Sequence, residues 1–329
     1  MKRNSAQKAV TERNNKMGHW LTKSVGLDLW KLGFKMSFIL VVICFMTTCA
    51  ERTEGCFDAY ASNYSLAAEK KCGSCCTYPQ MRLELRHRAI QSGRDTVISF
   101  APATPNPATT FSTYTDAAGN PFAFQELRFY ISNFWLINAQ GDTTKLIETL
   151  PVYVPLGLGD TLRTTVEDNV RIISNPGTFS GSTFGTFRNA GTFTKLRFTL
   201  GVTGLANKSN PNRYVQGHPL GAPSSNVMYR SPVVGYNFSR FVLQRNPGAV
   251  NSDNIEILVN NTPNLVNIEM PINLKIPQGF NVNVILRVDH LRWFKGVNVR
   301  TDAVETIASK IVANLPQSFQ LVSVSTSQQ

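Results

Sequence analysis

From Met81 onward, apolar and polar positions alternate with a period of two. Met81, Leu83 and Leu85 are interleaved with Arg82, Glu84 and Arg86, the pattern of a strand with one buried and one wet face. Similar runs cover Leu127 to Ile137, Leu196 to Val202, Ile255 to Val259, Val266 to Ile276 and Val282 to Leu291. Turn-rich stretches such as Ala139-Gln140-Gly141-Asp142 and Asn207 to Asn212 separate them. Residues 103–123 are rich in Pro, Thr and Ala and read as a loop. Three Gly-Thr-Phe triplets, at Gly177, Gly185 and Gly191, are too few to define a repeat.

Helical spacing appears once. Asp302 and Glu305 have the separation of a capping box, and Val304, Ile307, Ala308, Ile311, Val312 and Leu315 follow with a helical period. The pattern therefore predicts an all-β domain: an antiparallel β-sandwich with one C-terminal helix, preceded by a small cysteine-rich module. The boundaries are 1–49 for a precursor segment, 50–79 for the module and 80–329 for the sandwich.

Charge changes this picture little. The chain carries a formal +12, but half of it lies in residues 1–35, with eight Lys/Arg against two Asp/Glu. After Cys49 there are 25 basic and 19 acidic residues. No dense basic stripe with interleaved aromatics is present, so nucleic acid is not the expected partner. Charged residues make up 16% of the chain, low against about 25% for an average soluble domain, which suits an exported β-rich protein.

Residues Met36 to Cys49, MSFILVVICFMTTC, are uncharged and apolar and follow Lys31 and Lys35. Their length fits a signal-peptide core of about 7–15 residues better than a bilayer span of about 20. Met46-Thr47-Thr48-Cys49 resembles a lipobox, with Thr48 where Gly or Ala is usual. A thiol is required there because lipid joins through sulfur. Cys49 is therefore the expected lipidation site, and the expected location is the periplasm or cell surface, lipid-anchored to the outer membrane. Met1, Met17 and Met36 are alternative starts.

Cys56, Cys72, Cys75 and Cys76 lie within 21 residues, and no cysteine follows. A segment this short cannot hold itself together by a core. In an oxidising compartment these four read as a disulfide framework, with three full pairings open. A zinc site is the alternative, although the spacing lacks two clean CxxC knuckles.

Several strands carry a recognisable pattern. Leu127-Arg128-Phe129-Tyr130-Ile131-Ser132-Asn133 runs on to Gly141-Asp142. Gly191-Thr192-Phe193 and Leu196 to Val202 are followed by Asn207 and Asn210. Met228-Tyr229 precedes Gly235-Tyr236-Asn237-Phe238. Val288-Asp289, Trp293-Phe294, Asn314 and Phe319 close the series. Together, over roughly residues 80–325, they resemble the MbnP-like copper-binding domain family. The resemblance implies an exported β-rich protein that binds copper. In some relatives a di-haem peroxidase-like partner oxidises a tryptophan that helps form the copper site. This chain departs from the pattern at Arg230, where the family often has Trp; a guanidinium there opposes copper binding by that segment. Trp135 and Trp293, the tryptophans after Cys49, read mainly as sheet or core aromatics.

Copper(I) favours thioether, thiolate and imidazole. The candidate metal ligands are His87, His218, Met228 and His290, with His87 and His290 on the first and last long predicted strands. His290 beside Asp289 is no catalytic pair, because adjacent strand residues face opposite ways. Neither G-x-S-x-G, HExxH, a P-loop nor a Rossmann glycine fingerprint occurs. The expected function is non-enzymatic metal handling by a membrane-anchored lipoprotein. The alternative is an interaction lipoprotein that keeps the fold without metal.

Overall fold

The computed structural model describes residues 52–103, 110–157, 159–221 and 227–328. Cys49 and the alternative starts Met1, Met17 and Met36 lie outside them. The chain divides into two compact units, Met1–Thr53 and Glu54–Gln329, and the second carries the architecture.

Two sheets face each other. The larger has eight strands. Its main path runs Asp253–Val259, Ser239–Arg245, Pro121–Asn138, Gly191–Leu200, Val266–Ile276, with antiparallel pairing throughout. The smaller has five, in the order Phe179–Thr186, Gln80–Gln91, Asn281–Asp289, Phe319–Ser327, with Arg94–Val97 beside Gln80–Gln91. Here one pairing is parallel: Asn281–Asp289 runs alongside Gln80–Gln91 in the same direction. Chain segments 200 residues apart thus lie side by side, and the site depends on this pairing.

The alternation in the sequence is expressed directly in burial. Along Val266–Ile276 every second residue is buried and every other one exposed. Met81, Leu83, Leu85, His87 and Ala89 form the inward row of Gln80–Gln91. Val282, Val284, Leu286 and Val288 form that of Asn281–Asp289. These rows meet Phe129, Phe198, Phe241 and Trp293 in one continuous core.

The central strand Pro121–Asn138 contains a bulge. Arg197 pairs with Trp135 and Thr199 with Ser132, so Asn133 and Phe134 together oppose Phe198. Asn133 adopts φ 51°, a left-handed conformation that Asn tolerates better than most residues. Its Nδ2 donates to Thr203 Oγ1 at 2.9 Å. The extra residue turns Phe134 into the core, 5.4 Å from Phe198.

Three expectations are corrected in detail. The 103–123 loop contains the short strand Tyr114–Thr115, and the central strand already begins at Pro121. The last predicted strand stops at Asp289, and His290–Phe294 is a 3-10 turn whose first free amide, Leu291 N, is capped by the Asp289 carboxylate. The helix Val304–Asn314 forms, but without a capping box. Asp302 Oδ2 instead accepts from Asn298 N and Lys310 Nζ, tying the preceding loop to the helix. The expected antiparallel β-sandwich with one C-terminal helix and a cysteine-rich module is what forms, with the pairing of Gln80–Gln91 and Asn281–Asp289 as its parallel exception.

The cysteine module is part of the second unit. Cys56 joins Cys76 and Cys72 joins Cys75. Its edge is stitched to the sandwich by Phe187 N donating to the Pro79 carbonyl and by Arg188 stacked over Tyr78.

Candidate metal centre

His87 stands on the inner row of Gln80–Gln91, where its neighbours at two-residue spacing are Leu85 and Ala89. In the parallel register Val288 lies opposite His87 and Asp289 opposite Arg88. The chain then turns, and His290 becomes the first residue of the 3-10 turn. This turn aims the imidazole back under the sheet. His87 Nδ1 and His290 Nε2 are 3.0 Å apart, with the rings 10° from parallel. Both residues are 0% exposed.

Three-residue spacing eclipses side chains in a 3-10 turn, which brings Trp293 over His290 at a ring separation of 4.6 Å. Phe129 edges both histidines and Trp293. The indole Nε1 donates to Ser318 Oγ at 2.6 Å, and Asn314 Nδ2 holds the Trp293 carbonyl. Ser180 Oγ lies 2.8 Å from His87 Nε2. The pair is thus packed against Phe129 and Trp293 and hydrogen-bonded to the neighbouring strand through Ser180.

Burial lowers the His87 pKa to about 4. His290 is lowered well below its ordinary value, by burial first and then by His87 beside it. Both rings are therefore neutral at physiological pH. One arrangement leaves no buried N–H without an acceptor: His87 Nε2–H donates to Ser180, and His290 Nε2–H donates to His87 Nδ1. His290 Nδ1 is then a bare lone pair, and it has no hydrogen-bond partner. The opposite arrangement would orphan a buried N–H there, which native proteins rarely tolerate.

The pair fits a soft or borderline metal ion. Two neutral imidazoles 3.0 Å apart lie within the span of two metal–nitrogen bonds of about 2 Å each. No third His, Cys, Asp or Glu donor joins them among the described residues. Without a carboxylate or thiolate, the site supplies no negative charge. A divalent ion would bury two uncompensated charges and a monovalent ion one, so the donor chemistry favours copper(I).

Of the four predicted ligands the structure brings together two, His87 and His290. His218 stacks on Tyr214 at 4.1 Å, and its Nδ1 accepts from Leu220 N. Met228 is buried, and its carbonyl accepts from Asn237 N. Both belong to the segment covering Tyr130, whose hydroxyl donates to the Pro219 carbonyl. Phe129, which edges the histidine pair, and Tyr130 are adjacent strand residues and point to opposite faces. His218 and Met228 therefore lie across the large sheet from His87 and His290. Arg230 is exposed in that same outer segment and has no contact with the pair.

Two residues of the centre escaped the sequence reading. Ser180 carried no signal. The contact of Trp293 with His290 was signalled only by the three-residue spacing, visible once the strand is known to end at Asp289. Trp135 is half-buried, with Lys145 Nζ 5.7 Å from its ring.

The MbnP family model matches residues 94–311, and the chain belongs to that family. His290 and Trp293 lie inside the matched region and His87 just before it. No curated protein matches the chain. Among solved structures, MbnP from Methylosinus trichosporium is similar at 12% identity and a TM-score of 0.39, covering 75% of this chain and 99% of its own.

Proposed function

We propose that this is an exported, non-enzymatic copper-handling lipoprotein in which His87 and His290 hold one copper(I) ion. The observation that carries the reading is the convergence of two buried, neutral imidazoles, one with an unpartnered ring nitrogen, in a family whose resemblance implies copper. Held there, copper(I) would supply a soft Lewis acid that the neutral nitrogens of His87 and His290 would stabilise. The protein orients the two rings, excludes water and, through burial, keeps both imidazoles neutral; an ion between His87 Nδ1 and His290 Nε2 would displace the Nε2 proton to the unpartnered Nδ1.

Trp293, in ring contact with His290, is the tryptophan we assign to any oxidation by a di-haem peroxidase-like partner. We place the protein in the periplasm or at the cell surface, anchored to the outer membrane through Cys49. The experiment is metal analysis of protein purified from copper-supplemented cells, with mass spectrometry of the Trp293 peptide. Copper near one equivalent supports the reading; its absence from the wild type, or its retention in His87→Ala with His290→Ala, contradicts it.

A second reading has its own observation. The N–H···N bond between the rings already satisfies His87 without metal. This suits a lipoprotein that keeps the fold as an interaction module. Copper content separates the two.

A further inference from the structure

From Asn169 to Ser252 the chain has no Asp or Glu and nine Lys or Arg. Six of the nine meet carboxylates from outside that stretch. Arg171 pairs with Glu148, Arg188 with Asp58, Lys195 and Arg197 with Glu269, Arg240 with Glu126 and Glu256, and Arg245 with Asp253. The remaining three, Lys208, Arg213 and Arg230, are exposed and have no ion pair among the described residues. All three fall between Thr203 and Tyr236; the described residues of this stretch, 203–221 and 227–236, meet Tyr130 on the outer side of the large sheet.

The same segment exposes aliphatic side chains. Val215 is 77% exposed and Val233 88%, with Leu205 and Val227 also outside. Hydrogen bonds knit the pieces together. Tyr236 N donates to Asn207 Oδ1, joining the Tyr229–Ser231/Gly235–Tyr236 hairpin to the 204–207 turn. Tyr153 N donates to Ser209 Oγ, and Asn210 N donates to the Tyr153 carbonyl. These bonds join the Thr149–Gly157/Asp160–Glu167 hairpin, which adds Leu156 at 65% exposure. Asp160 is the carboxylate near that hairpin's turn.

We propose that this outer face is a second, lipid-binding contact that seats the folded domain on an anionic membrane surface. Its unpaired cations match phosphate headgroups, and its aliphatic tips match the acyl boundary beneath them. An acidic protein would match the cations as well. The exposed valines and leucines, however, are single side chains on separate short segments. Separate apolar tips suit a fluid bilayer, which deforms around each, better than a preformed protein pocket. The proposal does not rest on copper or on Cys49.

The Glu54–Gln329 unit is compact in itself and contains both apolar core clusters of the described residues, so it can be tested free of any anchor. The experiment is sedimentation of this unit with phosphatidylcholine vesicles, with and without phosphatidylglycerol. Binding is expected only with phosphatidylglycerol. At roughly fivefold per surface cation lost, K208E/R213E/R230E should weaken it at least about 100-fold. Val215→Ser with Val233→Ser should weaken it further without changing its salt dependence. R82E/R94E/K275E, which makes the same change in net charge elsewhere, should retain most binding. No binding to phosphatidylglycerol vesicles, or equal loss in the two charge-reversal variants, overturns the proposal.

Discussion

His87 Nδ1 faces His290 Nε2 at 3.0 Å in the interior of the sandwich, across a sequence separation of 203 residues. Neither ring has a carboxylate partner among the described residues, so burial acts on both without compensation. It lowers His87 to about 4 and His290 in the same direction. The unfolded chain takes up protons below about pH 6.5, while folded His87 resists protonation until about 4. Stability should therefore fall as pH drops through that window, by on the order of 3 kcal/mol for His87 alone. Urea unfolding of the wild type and of His87→Gln over this range is the check. The difference in their profiles should be steepest between those two values; parallel profiles would show that the pair is not neutral and buried.

Ser180 fixes the His87 ring. Ser180→Ala leaves His87 Nε2–H without its acceptor, at about 1–3 kcal/mol, and frees the ring to turn its protonated nitrogen toward His290. Copper affinity should fall roughly 10- to 100-fold, as for other partners that orient metal-bound histidines. Thr in place of Ser should restore most of it. An unchanged affinity in Ser180→Ala would remove Ser180 from the site.

The two disulfides should contribute unequally. Cys56–Cys76 closes a 20-residue separation and Cys72–Cys75 a separation of three. By loop entropy the first is worth about 3 kcal/mol and the second about 2. Non-reducing mass spectrometry should find no free thiol at these four positions, and thermal unfolding of the paired Ser variants should rank them in that order. Two alkylatable thiols in the mature protein would contradict the framework.

Much of the fold was legible because one-faced strands expose their period directly. Val266–Ile276 was bounded by alternation alone, and the helix by its apolar spacing. The end of the last inner strand was not, because a single Asp289 carboxylate capping a turn interrupts no hydrophobic pattern. The capping box misled for a similar reason: Asp302 found two better donors, in Asn298 and Lys310, than the helix amides. At the site, the inward row Met81-Leu83-Leu85 already pointed His87 into the core. Its partner could not be read, since parallel register is set by packing between distant segments. His218 and Met228 looked equally eligible because sequence does not show which face of a sheet a long loop covers.

Arg230→Trp should leave copper affinity unchanged, because Arg230 is exposed on the outer segment and does not touch the pair. Equilibrium competition with a copper(I) chelator is the check. A marked gain in affinity would place the metal at the Met228 segment after all.

Anchoring is tested by Cys49→Ser. The variant should leave the membrane fraction or accumulate as uncleaved precursor. If it fractionates and migrates like the wild type, lipid is not attached at that cysteine.

The central claim is that two buried histidines hold one copper(I). Anaerobic titration of the purified chain with copper(I) against a chromophoric chelator measures it most directly. The account predicts one equivalent bound by the wild type. It predicts a loss of at least about 100-fold in affinity for His87→Ala and for His290→Ala separately, and no loss for His218→Ala. Equal affinity in the wild type and both pair variants, or a loss confined to His218→Ala, would contradict it.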